Sequence, residues 1–231
     1  MSAHIMVVLF PGSNCELDVV RSIEHLGGTA EIVFHSETDL RGADAVVIPG
    51  GFAHGDYLRT GAIARFSPIM EAVAAHARAG GPVVGICNGF QILTEAGLLP
   101  GALQKNAGLR FLCDVVDVRV VSTRSALTCS AERDAVLRIP INHFEGNYTC
   151  DAATLERLRA EDRVVVRYVD NPNGSLDDIA GICNESGNVV GLMPHPERAS
   201  EMILGSADGV VLLESLLQAV AAPSGSVRLP A

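Results

Sequence analysis

Three short segments of this chain carry residue types that could together break an amide or ester bond. The first is Gly85-Ile86-Cys87-Asn88-Gly89, which follows the apolar run Val83 to Ile86 and opens a helical pattern at Asn88. A cysteine on a strand-to-helix corner, with glycine two residues before and two after, is the thiol counterpart of the hydrolase nucleophile elbow. Such a corner strains the backbone and brings neighbouring chain close, so only small flanking residues fit. The helix N-terminus favours a thiolate and offers unpaired N–H groups. A bare Gly-x-Cys-x-Gly can equally be an inert core cysteine; the strand before it and the helix after it favour the reactive reading. The second segment is Pro49-Gly50-Gly51-Phe52, whose paired glycines either form an ordinary turn or aim bare backbone amides at an oxyanion. The third is Met193-Pro194-His195-Pro196-Glu197-Arg198. Pro196 pushes His195 toward an extended conformation, where residues i and i+2 share a face, so Glu197 can orient the imidazole. Alone, this would be a casual surface pair or a general base with its orienter. Nucleophile, base, acid and oxyanion donors together point to acyl transfer.

These segments need a scaffold that collects them at one edge. Residues 5–10 form a continuous apolar run that ends in Pro11-Gly12-Ser13-Asn14, a buried strand and its turn. A helix is expected over 16–26, stopped by Gly27-Gly28, then strands over 30–34 and 45–48 and a helix over 66–79. Strands alternating with helices predict βαβ units and a mostly parallel sheet covered on both faces. After Pro100, strands over 115–121, 136–141, 164–169, 179–183 and 189–193 follow one another with few helices between. The last two are joined as a hairpin by Glu185-Ser186-Gly187-Asn188. Helices are expected over 151–160 and 208–221. The fold class is therefore α/β, a single domain over 1–222 whose central sheet is mostly parallel with flanking helices and a more antiparallel second half. Residues 223–231 are expected to be a loose Pro/Ser/Gly-rich tail. Ligands of such sheets bind at the carboxyl ends of the strands, where all three chemical segments lie.

At 231 residues, with 48% of them hydrophobic and 19% charged, the chain can bury a substantial core. The formal net charge of -10 argues against a general nucleic-acid or anionic-membrane partner. No apolar run is long enough to span a membrane and no signal peptide is expected, so a cytoplasmic location follows. The six cysteines contain no CxxC pair; neither a metal centre nor a disulfide framework is expected, and only Cys87 has a context that makes a thiol reactive.

From about Ile5 to Leu217 the chain resembles the class I, triad-type glutamine amidotransferases. The elbow, Gly50-Gly51 and His195-x-Glu197 carry that likeness. Within the family it is similar to the free-standing glutaminase subunits of phosphoribosylformylglycinamidine synthase. The marks of that group are Leu9-Phe10-Pro11-Gly12-Ser13-Asn14-Cys15, Gly55-Asp56-Tyr57-Leu58-Arg59, Asn171-Pro172-Asn173-Gly174-Ser175, Ala180-Gly181-Ile182, residues 191–199 and Leu204-Gly205-Ser206. The chain departs from the group's pattern at Ala53-His54, at Thr60 and at Asn142-His143-Phe144-Glu145-Gly146, where Phe144 stands for a small residue.

The resemblance implies a flavodoxin-like fold and a glutaminase of purine biosynthesis. Cys87 would attack glutamine's side-chain amide, backbone amides near Gly51 and of Asn88 would hold the oxyanion, and His195 with Glu197 would move the protons. Gln91 is then either a substrate contact or a helix-surface amide, and His143 and Glu145 lie near the site. The resemblance also implies a synthase subunit, often with a small third subunit, that receives the ammonia and binds ATP and Mg. No cofactor is expected in this chain, which has no Gly-x-x-x-x-Gly-Lys-Ser/Thr loop. Gly55 to Gly61 with Arg59 would contribute to a docking surface or cap a helix. Competing readings are a glutaminase serving GMP synthase, a cysteine hydrolase or chaperone with a similar elbow but no distal His-x-Glu pair, and a binding module that has lost catalysis.

Overall fold

The computed structural model describes residues 2–221; the expected tail over 223–231 lies outside them. The chain opens with β1 (His4–Leu9), α1 (Glu16–His25), β2 (Thr29–Phe34) and β3 (Ala45–Ile48). Glu16 and Asp18 sit in the first turn of α1 and His25 in its last, which suits the helix macrodipole. Its end is closed by Gly27 at φ 84°, with the Gly28 N–H donating to the Ile23 carbonyl at 3.0 Å.

Next come α2 (Ile69–Arg78), β4 (Val83–Ile86) and α3 (Asn88–Glu95). α2 starts three residues later than its apolar spacing predicts, because Pro68 holds Ser67 extended (φ −64°, ψ 141°) and leaves residues 64–66 as a separate 3-10 turn. The second half comprises β5 (Ala102–Gln104), β6 (Leu112–Val120), β7 (Val136–His143), β8 (Asn147–Thr149), α4 (Ala152–Ala160), β9 (Val164–Tyr168), β10 (Ile179–Cys183), β11 (Val189–Leu192) and α5 (Val210–Ala221). Asp151 caps α4 by accepting from the Thr154 N–H at 2.7 Å.

One nine-stranded sheet runs in the order β2-β1-β3-β4-β11-β10-β9-β6-β7. The pairs from β2 to β11 are parallel and those from β11 to β7 antiparallel, as the change of pattern after Pro100 predicts. β3, β4 and β11 are buried along their whole length, which is why they read as unbroken apolar runs. Each fully buried Val or Ile there contributes about 1.5–3 kcal/mol relative to exposure. β6 begins before its expected start because Leu112 to Arg119 pairs with Val136 to His143; the polar, exposed Asp114 hid the extra residues. The small antiparallel pair β5–β8 was not anticipated at all. No helix of the described residues is long and apolar enough to cross a membrane.

Candidate active site

β3, β4 and β11 are neighbours and parallel, so their carboxyl ends open together. Cys87 follows β4 and stands at φ 50°, ψ −102°, a conformation that costs a non-glycine residue about 1–3 kcal/mol. It is locked from both sides: its N–H donates to the Leu192 carbonyl of β11 at 2.8 Å, and its carbonyl accepts from the Gln91 N–H at 3.2 Å. The flanking glycines are obligatory on contact grounds. A Cβ on Gly89 would fall 2.0 Å from the Ile48 carbonyl oxygen, and one on Gly85 would fall 2.6 Å from the Gly89 carbonyl. The thiol points toward the Asn142 carbonyl at 3.6 Å.

Gly51 follows β3 at φ 145°, pressed so closely on Ser13 and Asn14 that a Cβ would lie 2.7–2.8 Å from their backbone. The bridge between these segments uses the Phe52 N–H to the Gly12 carbonyl (2.9 Å) and the Asn14 N–H to the Gly50 carbonyl (3.4 Å). That pattern leaves the Gly51 amide outside the ladder. The Asn88 amide opens α3 and has no intrahelical acceptor. Gly51 lines the same cavity as Cys87, and the Asn88 amide is the next one along the chain from it. The Asn88 side chain ties them together: its Oδ1 accepts from the Ala53 N–H at 3.0 Å, which anchors the glycine loop to the elbow helix.

His195 follows β11 and is 1% exposed. It is extended as Pro196 dictates (φ −104°, ψ 86°), but Pro196 to Ala199 then turns as a 3-10 helix rather than continuing extended. Glu197 thus reaches the ring from a tight turn, not from the shared face of a strand, and its Oε1 accepts from Nδ1 at 2.6 Å. The other ring nitrogen, Nε2, is buried without a formed hydrogen bond among the described residues. Burial opposes an imidazolium here, yet the charges of Glu197 and Cys87 and contacts to the Cys15 and Cys87 sulfurs outweigh it and hold His195 well above its ordinary pKa. A protonated imidazole is thereby favoured beside the Cys87 thiol.

The sulfur opens on a cavity of about 130 Å³ walled by Gly51, Phe52, Asp56, Thr60, Gln91 and residues 142–145. A wider depression of about 650 Å³ near Phe66 and Glu95 contains no cysteine or histidine, so its size carries no chemical weight. Gln91 is no surface amide: 4% exposed, it donates to the Glu145 carbonyl (2.5 Å) and accepts from Asn88 Nδ2 (2.8 Å). Glu145 accepts from the Thr60 hydroxyl at 2.9 Å, and Phe144 faces the cavity with Lys105 against its ring. Asp56 is pushed up to about 6 by burial and by the nearby Glu145 charge. His143, bonded through Nδ1 to Asn106 Oδ1 at 3.1 Å, is lowered to about 4 by burial and by His195, so it stays neutral at working pH.

Asp56, Thr60 and Asn142 were not singled out as site residues from sequence; Asp56 belonged to a recognised segment and only folding showed that it faces the cavity. Nor was Cys15. It is buried beside His195, so Cys87 is not the only cysteine with a chemically active neighbourhood. Arg59 binds Glu95 through two bonds of 2.6 and 2.7 Å, and Arg65 reaches the Glu95 carbonyl at 2.9 Å, so this segment caps the C-terminal end of α3. His54 packs on Phe10 and His35, outside the cavity wall.

One trio among the described residues, Cys15, His195 and Glu197, has the spacing of metal ligands. The Arg198 guanidinium lies 3.1 Å from the Cys15 sulfur, and Glu197 Oε1 is already bonded to His195. A cation would meet a positive charge there. The donor set does not suit one.

Residues 2–208 match the CobB/CobQ-like glutamine amidotransferase domain. The phosphoribosylformylglycinamidine synthase subunit PurQ of Rubrobacter xylanophilus is 56% identical over 214 residues, covering 93% of this chain and 97% of that protein. The subunit of the same name from Koribacter versatilis is 54% identical, with the same shares covered. A chain of the PurLQS structure from Thermotoga maritima superimposes with a TM-score of 0.87 at 42% identity, over 94% of this chain and 99% of that one.

Proposed function

Because the chain belongs to the CobB/CobQ-like glutamine amidotransferase family, we propose that it is the glutaminase subunit of phosphoribosylformylglycinamidine synthase, acting in purine biosynthesis. Glutamine enters the Cys87 cavity with its carboxamide against the sulfur. The thiolate attacks the amide carbon, and the carbonyl oxygen takes up negative charge between the Gly51 and Asn88 amides. Each such donor is typically worth about 3 kcal/mol in the transition state. As the tetrahedral adduct collapses, the C–N bond breaks and His195 gives its proton to the leaving nitrogen, releasing ammonia. Glu197 keeps the imidazole in the tautomer that can do this. Water, deprotonated by His195, then attacks the γ-glutamyl thioester, and glutamate leaves with the thiolate restored.

The acidic wall explains the choice of an amino acid. Asp56 and Glu145 line the cavity and suit an α-ammonium group, while Gln91 braces the wall through its bonds to the Glu145 carbonyl and to Asn88. Ammonia set free into water would be protonated and lost to synthesis. It therefore passes to a synthase subunit, with a small third subunit in the same assembly. ATP and Mg belong to that synthase subunit and no cofactor to this chain. Work of this kind places the assembly in the cytoplasm.

The observation that carries the reading is Cys87 at a strained corner, on a cavity that Gly51 also lines, with a His195–Glu197 pair joined at 2.6 Å. The test compares nitrogen sources in the reconstituted complex. Cys87→Ala should lose glutamine-dependent amidine formation and keep synthesis from added ammonia. Equal loss from both sources would argue against it.

A further inference from the structure

Two buried cysteines take no part in that mechanism, Cys15 and Cys183. Cys183 lies in the sheet core, where burial pushes its thiol up to about 11 and leaves it inert. Cys15 has different company. It closes the segment between β1 and α1, directly before the first turn of α1. Its N–H and that of Asn14 both donate to the Gly50 carbonyl, at 3.3 and 3.4 Å. Its sulfur, a ring nitrogen of His195 and a carboxylate oxygen of Glu197 lie within 4.8 Å of one another.

Gly50 completes the enclosure. A Cβ there would sit 2.6 Å from His195 Cε1 and 3.1 Å from the Cys15 sulfur, so ring and sulfur close together on a bare Cα. The sulfur is fixed in turn. Arg198 Nη2 donates to it at 3.1 Å, the thiol faces Asn14 Oδ1 at 3.1 Å, and Arg198 Nε is held by Asp18 Oδ2 of α1 at 3.3 Å. Glu197 grips only Nδ1, and a single hydrogen bond leaves a ring free to rock about it. The Cys15 sulfur and Gly50 bound the ring on its Cε1 side.

We propose that Cys15 is a positioning residue for His195, its sulfur anchored by Arg198 and holding the imidazole at the angle from which Nε2 serves Cys87. The inference rests on the glutaminase reading above. It gives a role to a segment that is tied through its backbone to the oxyanion loop and through one side chain to the base. Misplacing a catalytic group by about 1 Å can cost roughly 100-fold in rate. Contact with Cys15 also favours the protonated imidazole.

The test is glutamate release by the full chain, assayed with its synthase, for wild type, Cys15→Ala and Cys15→Ser across pH. Cys15→Ala should lower kcat about tenfold or more while KM for glutamine stays within about twofold, because only ring placement is disturbed. The alkaline limb of the kcat profile, which reports loss of the His195 proton, should move to lower pH. Cys15→Ser, with a shorter but still polar reach, should fall between. If Cys15→Ala does not fold, Cys15→Ser and Arg198→Lys report the same two quantities. Wild-type kcat with an unmoved limb, or a KM rise at unchanged kcat, would overturn the proposal. Failure of the glutaminase reading looks different: wild-type chain whose glutamine hydrolysis does not depend on Cys87.

Discussion

β3, β4 and β11 each deliver one reactive group straight off a buried carboxyl end, whereas the antiparallel strands reach the site only because β7 curls back to it from the far edge of the sheet. The two routes leave different marks. On the parallel side the geometry is fixed by backbone against backbone: Gly89 on Ile48, Gly51 on Ser13, and the Cys87 amide on Leu192. On the antiparallel side it is fixed by the His195 N–H to the Pro140 carbonyl (2.8 Å) and by side chains such as Thr60 on Glu145 and Asn106 on His143. Parallel strands set the chemistry. The end of β7 and the loop after it, residues 142–145, close the cavity from the antiparallel side.

The sharpest way to break this division is to strip the parallel side of its nucleophile. Cys87→Ala should reduce glutamine hydrolysis by roughly 10⁴-fold or more, while heat denaturation shows an intact fold. Glu197→Gln should follow with a loss of about 10²–10⁴ in kcat, because the amide no longer holds the required tautomer. Gly89→Ala should cost at least about 2 kcal/mol in denaturant unfolding, since the new methyl collides with a strand carbonyl that cannot retreat. If that substitution is silent, the backbone-locked corner is not as described.

Changes on the antiparallel side should act on affinity instead. Glu145→Gln is expected to raise KM for glutamine about tenfold with kcat within about threefold, measured by initial rates. A loss confined to kcat would dissolve the contrast between the two halves.

The smallest effect is a pH dependence in Asp56, which flanks the same wall. Its folded pKa of about 6 lies above the ordinary 3.8, so the fold prefers the protonated form. The stability this gives is complete below about pH 4 and is lost as pH rises through about 6. Asp56→Asn should therefore raise Tm at pH 8, with the difference shrinking between pH 6 and 4. In wild type, KM for glutamine should climb as pH falls through 6, because a neutral Asp56 no longer attracts an ammonium group.

The parallel half was readable because its strands are buried on both faces and write themselves as apolar runs, and because the glycines of the elbow are sterically required. The His195–Glu197 pair was readable too, though through the wrong local geometry: a 3-10 turn, not extended chain, joins them. The antiparallel strands could be found, but nothing local says that Asn142 of β7 will face Cys87 at the end of β4. Cys15 is a harder case of the same kind, since 183 positions separate it from the arginine that holds its sulfur. The available clue was topological. The order β2-β1-β3 puts the switch point of the sheet between β1 and β3, and Pro11 to Cys15 leaves β1 there. Strands of three residues, as in β5 and β8, offer too little periodicity to detect.

The central claim is that the Cys87 sulfur carries the γ-glutamyl group between the two halves of the reaction. Acid quenching during turnover with glutamine, then mass spectrometry of the digested chain, reads this directly. The account predicts a γ-glutamyl adduct on the peptide that contains Cys87 and on no other cysteine peptide, absent in Cys87→Ala. Steady glutamine hydrolysis with no adduct on Cys87, or with the adduct on another cysteine, would contradict it.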